Sequence, residues 1–254
     1  MPRPWSHELA VFDLETTGID VETARIVTAH VGILDGTGAV VDQWQWLADP
    51  GVEIPEGASA IHGITTERAR AEGRPARAVV GEIVATLDTL VAAGLPLVIY
   101  NAPYDLTVLA RESRRHRVRP LVEPRPVIDP LVIDKHVDRY RRGKRTLSVT
   151  SEFYGVRLDA AHDASADAVA AGRVALALAA AYGDWLGDDG HALHDRQARW
   201  CRAQAASFQE YMRREKDPEF VACGEWPERM PPAVELTPRL ETPAPEVADS
   251  RDVA

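Results

Sequence analysis

Two carboxylates stand two residues apart in an apolar run near the N-terminus, Glu8-Leu-Ala-Val-Phe-Asp-Leu-Glu-Thr-Thr-Gly18. A strand alternates faces with a period of two, so Asp13 and Glu15 point the same way. Two anions side by side in a half-buried strand repel each other, and desolvation deepens the penalty. A cation between them relieves both costs. The pair therefore marks a candidate divalent-metal site.

Three further residues have the right chemistry to complete it. Asp105 lies in Asn101-Ala-Pro-Tyr-Asp105, just after a short apolar run and on the first turn of the next helix. His162 and Asp167 lie in His162-Asp-Ala-Ser-Ala-Asp167, at the entry of an alanine-rich helix. Taken singly, each acid is explained by the helix dipole, and the histidine by a loop. Taken together they supply only oxygen ligands, which suits hard cations, plus an imidazole. A histidine titrates near pH 6.5 when unperturbed, about where a general base is most useful.

These residues need a scaffold, and the hydrophobic pattern supplies one. Residues 8–15, 25–34 and 40–47 read as three antiparallel strands, the last two joined by the turn Asp35-Gly-Thr-Gly38. Residues 49–75 read as a loop. Residues 78–93 have helical spacing, closed by Gly94. A buried strand follows over 95–100, then a helix over 103–115 with proline in its first turn. A short strand at 127–129 leads into a helix from Pro130, a short helix spans 146–154, and a long one spans 163–182 with Asp163 as its cap. Alternating helices and strands favour an α/β domain.

The order Asp-x-Glu, then Asp, then His-x-x-x-x-Asp, with Ala60-Ile-His-Gly-Ile-Thr65 between, resembles the DEDD superfamily of 3′-to-5′ exonucleases. It resembles the histidine-bearing, DnaQ-like branch, which includes epsilon-type proofreading subunits and related bacterial exonucleases. The tyrosine branch carries Tyr four positions before the last acid, where this chain has Asp163; the histidine five before is present. The resemblance covers residues 8–180. It implies an RNase H-like α/β fold whose mixed central sheet has three antiparallel strands and then parallel ones, flanked by helices.

The resemblance also implies a site. Two divalent ions, Mg²⁺ or Mn²⁺, would sit about 3.5–4 Å apart between the acids and the scissile phosphate. Asp13 would bridge them, Glu15 and Asp167 would hold the ion carrying the attacking water, and Asp105 would support the other. His162 would be the general base. Leu14, Thr16, Thr17 and His62 would contact the terminal nucleotide, with Tyr104 packed beneath. The products would be nucleoside 5′-monophosphates released from DNA or RNA 3′ ends, single-stranded and most readily DNA. The alternatives are an exoribonuclease or oligoribonuclease, and a non-catalytic nucleic-acid-binding subunit.

The 254 residues carry a net charge of −10. That argues against a protein that coats long nucleic acid, but not against one that grips a strand end. Two arginine-rich runs, 111–119 and 139–145, read as solvated faces or, alternatively, a phosphate-contacting rim. Trp44 and Trp46 read as core residues rather than base-stacking ones. Cys201 and Cys223 read as unrelated thiols, and His191 and His194 as residues of a solvated helix. The expected organisation is an exonuclease domain over 1–183, a helical extension over 184–230 containing a polar break at 184–190, and a disordered tail over 231–254. The extension is a candidate dock for a polymerase or repair partner. With no membrane-length apolar run or leader pattern read in the sequence, the expected location is cytoplasmic, without membrane contact.

Overall fold

A computed structural model describes residues 4–158 and 163–230. His162 and the tail over 231–254 lie outside the described residues. The chain opens with β1 (Glu8–Thr16), β2 (Ile26–Asp35) and β3 (Val40–Asp49), paired antiparallel. The β2–β3 turn forms because the Asp35 carboxylate accepts from the Thr37 and Ala39 N–H groups and the Thr37 hydroxyl.

The segment expected as a loop holds two short helices instead, α1 (Glu56–His62) and α2 (Thr66–Glu72). A two-residue strand, β4 (Arg74–Pro75), then pairs parallel with the end of β3. Helices this short are marginal in isolation. Here Ile54, Ile64 and Ala69 are buried against Val27, so tertiary packing stabilises what periodicity alone could not reveal.

The remainder alternates as expected: α3 (Ala76–Ala92), β5 (Leu97–Val98), α4 (Ala102–His116), β6 (Val127–Ile128), α5 (Pro130–Val137), α6 (Leu147–Phe153), α7 (Ala164–Leu186) and α8 (Gly190–Glu215). The six-stranded sheet has the order β4-β3-β2-β1-β5-β6, with β5 parallel to both β1 and β6. It is a mixed RNase H-like sheet. Helix α7 runs through to Leu186 with a kink at Tyr182, so the polar break is shorter than the sequence indicates.

Strand β1 is buried on both faces. Ala10, Phe12 and Leu14 pack with α3 and α4, while Leu9 and Val11 pack with Ala171, Val174 and Leu178 of α7. The approach of α7 is close. A Cβ on Gly172 would stand 2.5 Å from Leu34 and 2.6 Å from Val11. By length and composition α7 could also cross a membrane, contrary to the sequence expectation of no such run. Half of its apolar window is buried within the protein, where it serves as the core helix on β1 and β2. Trp46 is buried as expected, and its indole N–H donates to Glu82 at 2.9 Å. Cys201 and Cys223 are free thiols.

Helix α8 closes the open edge of the sheet. An edge strand leaves backbone groups that need partners. The Val127 N–H donates to His194 Nδ1 at 3.0 Å, the Asp129 N–H donates to Gln197 at 2.6 Å, and the Gln197 amide donates to the Val127 carbonyl at 3.0 Å. Two helix side chains thus stand where a seventh strand would pair. His194 is therefore buried, not solvated, and burial pulls its pKa down to about 4, keeping the ring neutral and able to accept.

The arginine runs are split: Arg114, Arg117, Arg119, Arg139 and Arg142 are exposed, while four others are tied into the fold. The Arg111 guanidinium is buried and pairs with Glu22 at 2.8 Å, and Arg115 pairs with the buried Glu112. Arg141 and Arg145 converge on the buried Asp134 at 2.5 and 2.6 Å. For these four residues a solvated face is the wrong description. Their charges hold helices and loops together.

The segment after α8 folds back over the domain. Trp226 is buried and donates its indole N–H to Asp129 at 3.2 Å, while the Arg229 N–H donates to Thr107 at 2.9 Å. Replacing Trp226 by Ala should lower stability by about 3–5 kcal/mol, the usual cost of truncating a buried aromatic. Urea unfolding checks this; a midpoint equal to that of the native protein would show that the segment is not docked.

Candidate active site

The acids extend stripes that begin as core. On β1 the face that carries Leu9 and Val11 continues as Asp13 and Glu15. On α7 the stripe Leu178, Val174 and Ala171 continues, one turn earlier, as Asp167. Because α7 packs along β1 with its N-terminus at the strand's C-terminal end, the two polar ends meet. Carboxylate oxygens of Asp13, Glu15 and Asp167 all lie within 4.8 Å of one another. Asp163 caps α7 as expected, accepting from the Ser165 and Ala166 N–H groups at 2.9 and 3.2 Å.

Asp105 arrives from the opposite helix layer. The chain leaves β5 through Asn101, whose left-handed backbone (φ 67°, ψ 49°) starts α4 in the required direction. Asparagine is among the few residues that tolerate this conformation. The buried Asp129 carboxylate accepts from the Asn101 and Ala102 N–H groups, both at 3.0 Å, and fixes that turn. Asp105 is then buried in the first turn of α4 and accepts from the Leu14 N–H at 3.1 Å. It binds β1 beyond the point where β5 pairing ends.

The electrostatics are one-sided. Burial raises the Asp13 pKa well above the carboxylate range, and the charges of Asp105, Asp167, Glu15 and Asp163 push it further. Burial, then Asp167 and Asp163, raise Glu15 to about 8. Burial also raises Asp105, with the Leu14 N–H opposing. Among the described residues, no lysine or arginine forms an ion pair with Asp13, Glu15 or Asp105. An oxygen-only cluster that cannot ionise cheaply by itself fits hard divalent cations.

The expected nucleotide contacts have their own bonds. The Thr16 hydroxyl, the Tyr104 hydroxyl and the Gly18 carbonyl form a closed triangle, with Tyr104 2.6 Å and Thr16 2.9 Å from the carbonyl. Tyr104 is therefore more than packing: its hydroxyl shapes the turn after β1. The Thr17 hydroxyl accepts from the Arg25 N–H at 3.0 Å and ties the same turn to β2. The Leu14 N–H is taken by Asp105. His62 Nδ1 accepts from the Ile64 N–H at 3.2 Å, while its Nε2 has no hydrogen-bond partner among the described residues. Burial lowers the His62 pKa, the Thr16 backbone opposing.

His30 was not singled out in the sequence. It lies directly across the ladder from Asp13, fully buried, and neither ring nitrogen has a hydrogen-bond partner among the described residues. Burial lowers its pKa against the attraction of Asp163. The signal was available in the β2 register, where a lone histidine interrupts an otherwise apolar and small-residue strand. With His62, Arg68 and Asp163 it borders a groove of about 410 Å³.

An all-acid constellation at the ends of β1, α4 and α7 in this mixed sheet is the arrangement of a nuclease of the DEDD class. Comparison with known proteins agrees. Residues 10–175 match the RNase T exonuclease family, and the chain belongs to that family, in its histidine-bearing, DnaQ-like branch. The PolC-type DNA polymerase III of Lacticaseibacillus paracasei is 29% identical over 174 residues, 68% of this chain and 11% of that protein. A DNA polymerase III subunit epsilon-like protein of Rhodobacter capsulatus is 37% identical over 107 residues, 41% of this chain and 14% of that protein. The chain thus aligns with only a small part of these relatives. Among solved structures, E. coli exonuclease I in complex with a dT13 oligonucleotide superposes with a TM-score of 0.59 at 21% identity, covering 70% of this chain and 43% of that one. A 3′-exonuclease recognising the histone mRNA stem-loop gives 0.52 at 16% identity, covering 67% and 62%. At these identities the superpositions establish the shared fold.

Proposed function

We propose that this protein removes nucleotides one at a time from DNA 3′ ends, in proofreading or repair. The observation that carries the reading is the convergence of Asp13, Glu15 and Asp167, with Asp105 added from the other layer. Asp13, Glu15 and Asp167 would hold divalent ions, Mg²⁺ or Mn²⁺, with Asp105 supporting the second of two. Bound there, such ions supply Lewis acidity and neutralise charge on the phosphate. His162 takes a proton from the attacking water. The water oxygen bonds to phosphorus, the bond to the 3′-oxygen breaks, and that oxygen leaves with the electron pair and is protonated. A nucleoside 5′-monophosphate and a strand with a new 3′-hydroxyl result. Leu14, Thr16, Thr17 and His62 orient the terminal nucleotide, held in place by the Tyr104 triangle.

DNA is favoured over RNA because the curated relatives are DNA polymerase III proteins and the first solved neighbours are forms of exonuclease I. The likeness to the histone mRNA exonuclease keeps RNA 3′ ends as the second reading. A polymerase or repair partner would dock on the region after residue 183, and the setting would be cytoplasmic. The test uses 5′-labelled single-stranded DNA and RNA of matched sequence, with Mg²⁺, Mn²⁺ or chelator. A metal-dependent ladder shortening from the 3′ end, faster on DNA and absent for Asp105→Ala, is the expected result. A faster RNA ladder would move the substrate to RNA. No cleavage of either strand by the folded, metal-supplied protein would leave a binding subunit.

A further inference from the structure

We infer that the face formed by α5 and α8 is a second binding site, for the single-stranded nucleic acid upstream of the 3′ end. The inference rests on the exonuclease reading but on a different set of residues. A groove of about 490 Å³ lies between these helices. Its cationic lining includes Lys135, Arg139, Arg141 and Arg145, and it has no acidic lining residue. Asp134 and Asp138 pair with Arg141, and Asp134 also with Arg145, which leaves the group of four cations in excess by two. The two are Lys135 and Arg139, both exposed and without an ion-pair partner among the described residues. On a chain of net charge −10, a local excess of positive charge is a departure that an anionic polymer would exploit.

The same groove carries aromatic rings. Phe208 and Tyr211 line it and are 51% and 46% exposed, Phe208 meeting Phe220 edge-on at 5.4 Å and Tyr211 lying under Arg214 at 6.0 Å. At the groove's wall Trp200 stacks on His136 at 4.2 Å and on Trp185 at 5.0 Å, a rigid aromatic platform. Cations alternating with exposed aromatic faces are what sequence-tolerant binding of single strands requires, because every base has a face to stack and every link a phosphate. A neutral protein surface would use the rings but not the cations.

The groove also continues toward the start of α4. A second cavity of about 310 Å³, lined also by Asp129 and Glu225, shares Lys135, Gln204 and Phe208 with it and reaches Asn101 and Pro103, at the start of the helix that carries Asp105. Helix α8 lies beyond the family match, which ends at residue 175. The extension would therefore add strand affinity to a catalytic domain that by itself holds only the terminal nucleotide.

The test measures binding and turnover separately. Fluorescence anisotropy with a labelled single-stranded oligonucleotide, in chelator, reads affinity without cleavage. The double variant Lys135→Ala/Arg139→Ala should weaken binding tenfold or more and flatten the log K against log[salt] slope by about 1.4, roughly 0.7 per lost phosphate contact on a single strand. Tyr211→Ala, which removes a ring but no charge, should weaken binding by roughly 5-fold or more without changing that slope. Both variants should melt like the native protein and hydrolyse the p-nitrophenyl ester of thymidine 5′-monophosphate, which is too short to reach the groove, at the native rate. Unchanged oligonucleotide affinity in both would overturn the inference. So would weakened binding of polyglutamate with unchanged oligonucleotide binding, which would make the face a protein dock. A native protein that binds the strand through these residues yet cleaves nothing would support the groove and refute the exonuclease.

Discussion

Asp13→Asn should abolish turnover and, at the same time, stabilise the metal-free protein. Asparagine keeps the shape and removes the charge. Asp105, Asp167, Glu15 and Asp163 all act on Asp13, which is half-buried. Losing that charge removes the position best placed to hold a cation between β1 and both helix layers. Turnover should fall by about 10³-fold or more, the scale on which removal of a preorganised electrostatic group is felt. The same substitution relieves repulsion in the empty site, so thermal unfolding in chelator at pH 8 should move to higher temperature. Activity and stability changing in opposite directions is the signature of an acid kept for function at the expense of the fold. Native turnover in purified Asp13→Asn protein would sink the metal-site assignment.

Stability should depend on pH and on divalent cations together. Glu15 titrates near 8 in the folded chain against an ordinary value of 4.5, and Asp13 and Asp105 shift in the same direction. A raised acid pKa means that the folded state holds more protons than the unfolded one between the two values. Stability therefore falls as pH rises through that window, and the contribution from Glu15 is lost by about pH 8. A divalent cation takes the place of the missing protons. Added Mg²⁺ should raise the unfolding temperature little at pH 6 and much more at pH 8. Near 100-fold over its dissociation constant, the gain in stability should be about 2.7 kcal/mol. Melting curves with chelator and with Mg²⁺ at both pH values decide the matter. A cation effect no larger at pH 8 than at pH 6 would show that the acids ionise without help.

What was legible in the chain was whatever rests on neighbours a few residues away. The alternation along β1, the Asp35 turn, the Asp163 cap and the apolar stripes of α3 and α7 all follow local rules, and they place Asp13 and Glu15 on one face. The ordered acidic motifs added the family, and with it the mixed sheet. The same local rules mislead at Arg111, Arg115, Arg141 and Arg145, because a run of charges looks alike whether it faces water or a buried carboxylate.

Local pattern by itself therefore determined the longer strands and helices and the chemical type of the site. Only the tertiary structure decided which groups meet. Leu14 and Asp105 are 91 residues apart in sequence, yet a single hydrogen bond joins them and brings the α4 layer to β1. His194 and Gln197 carry no sequence signal for a role at a sheet edge. They acquire one because β6 leaves backbone groups unpaired and α8 is the element that covers them. Likewise the α1 and α2 turns are too short to persist alone and form where Ile54, Ile64 and Ala69 find Val27. The physical reason is the same in each case: hydrogen-bond satisfaction and burial are properties of the folded neighbourhood, and residues far apart in the chain provide it.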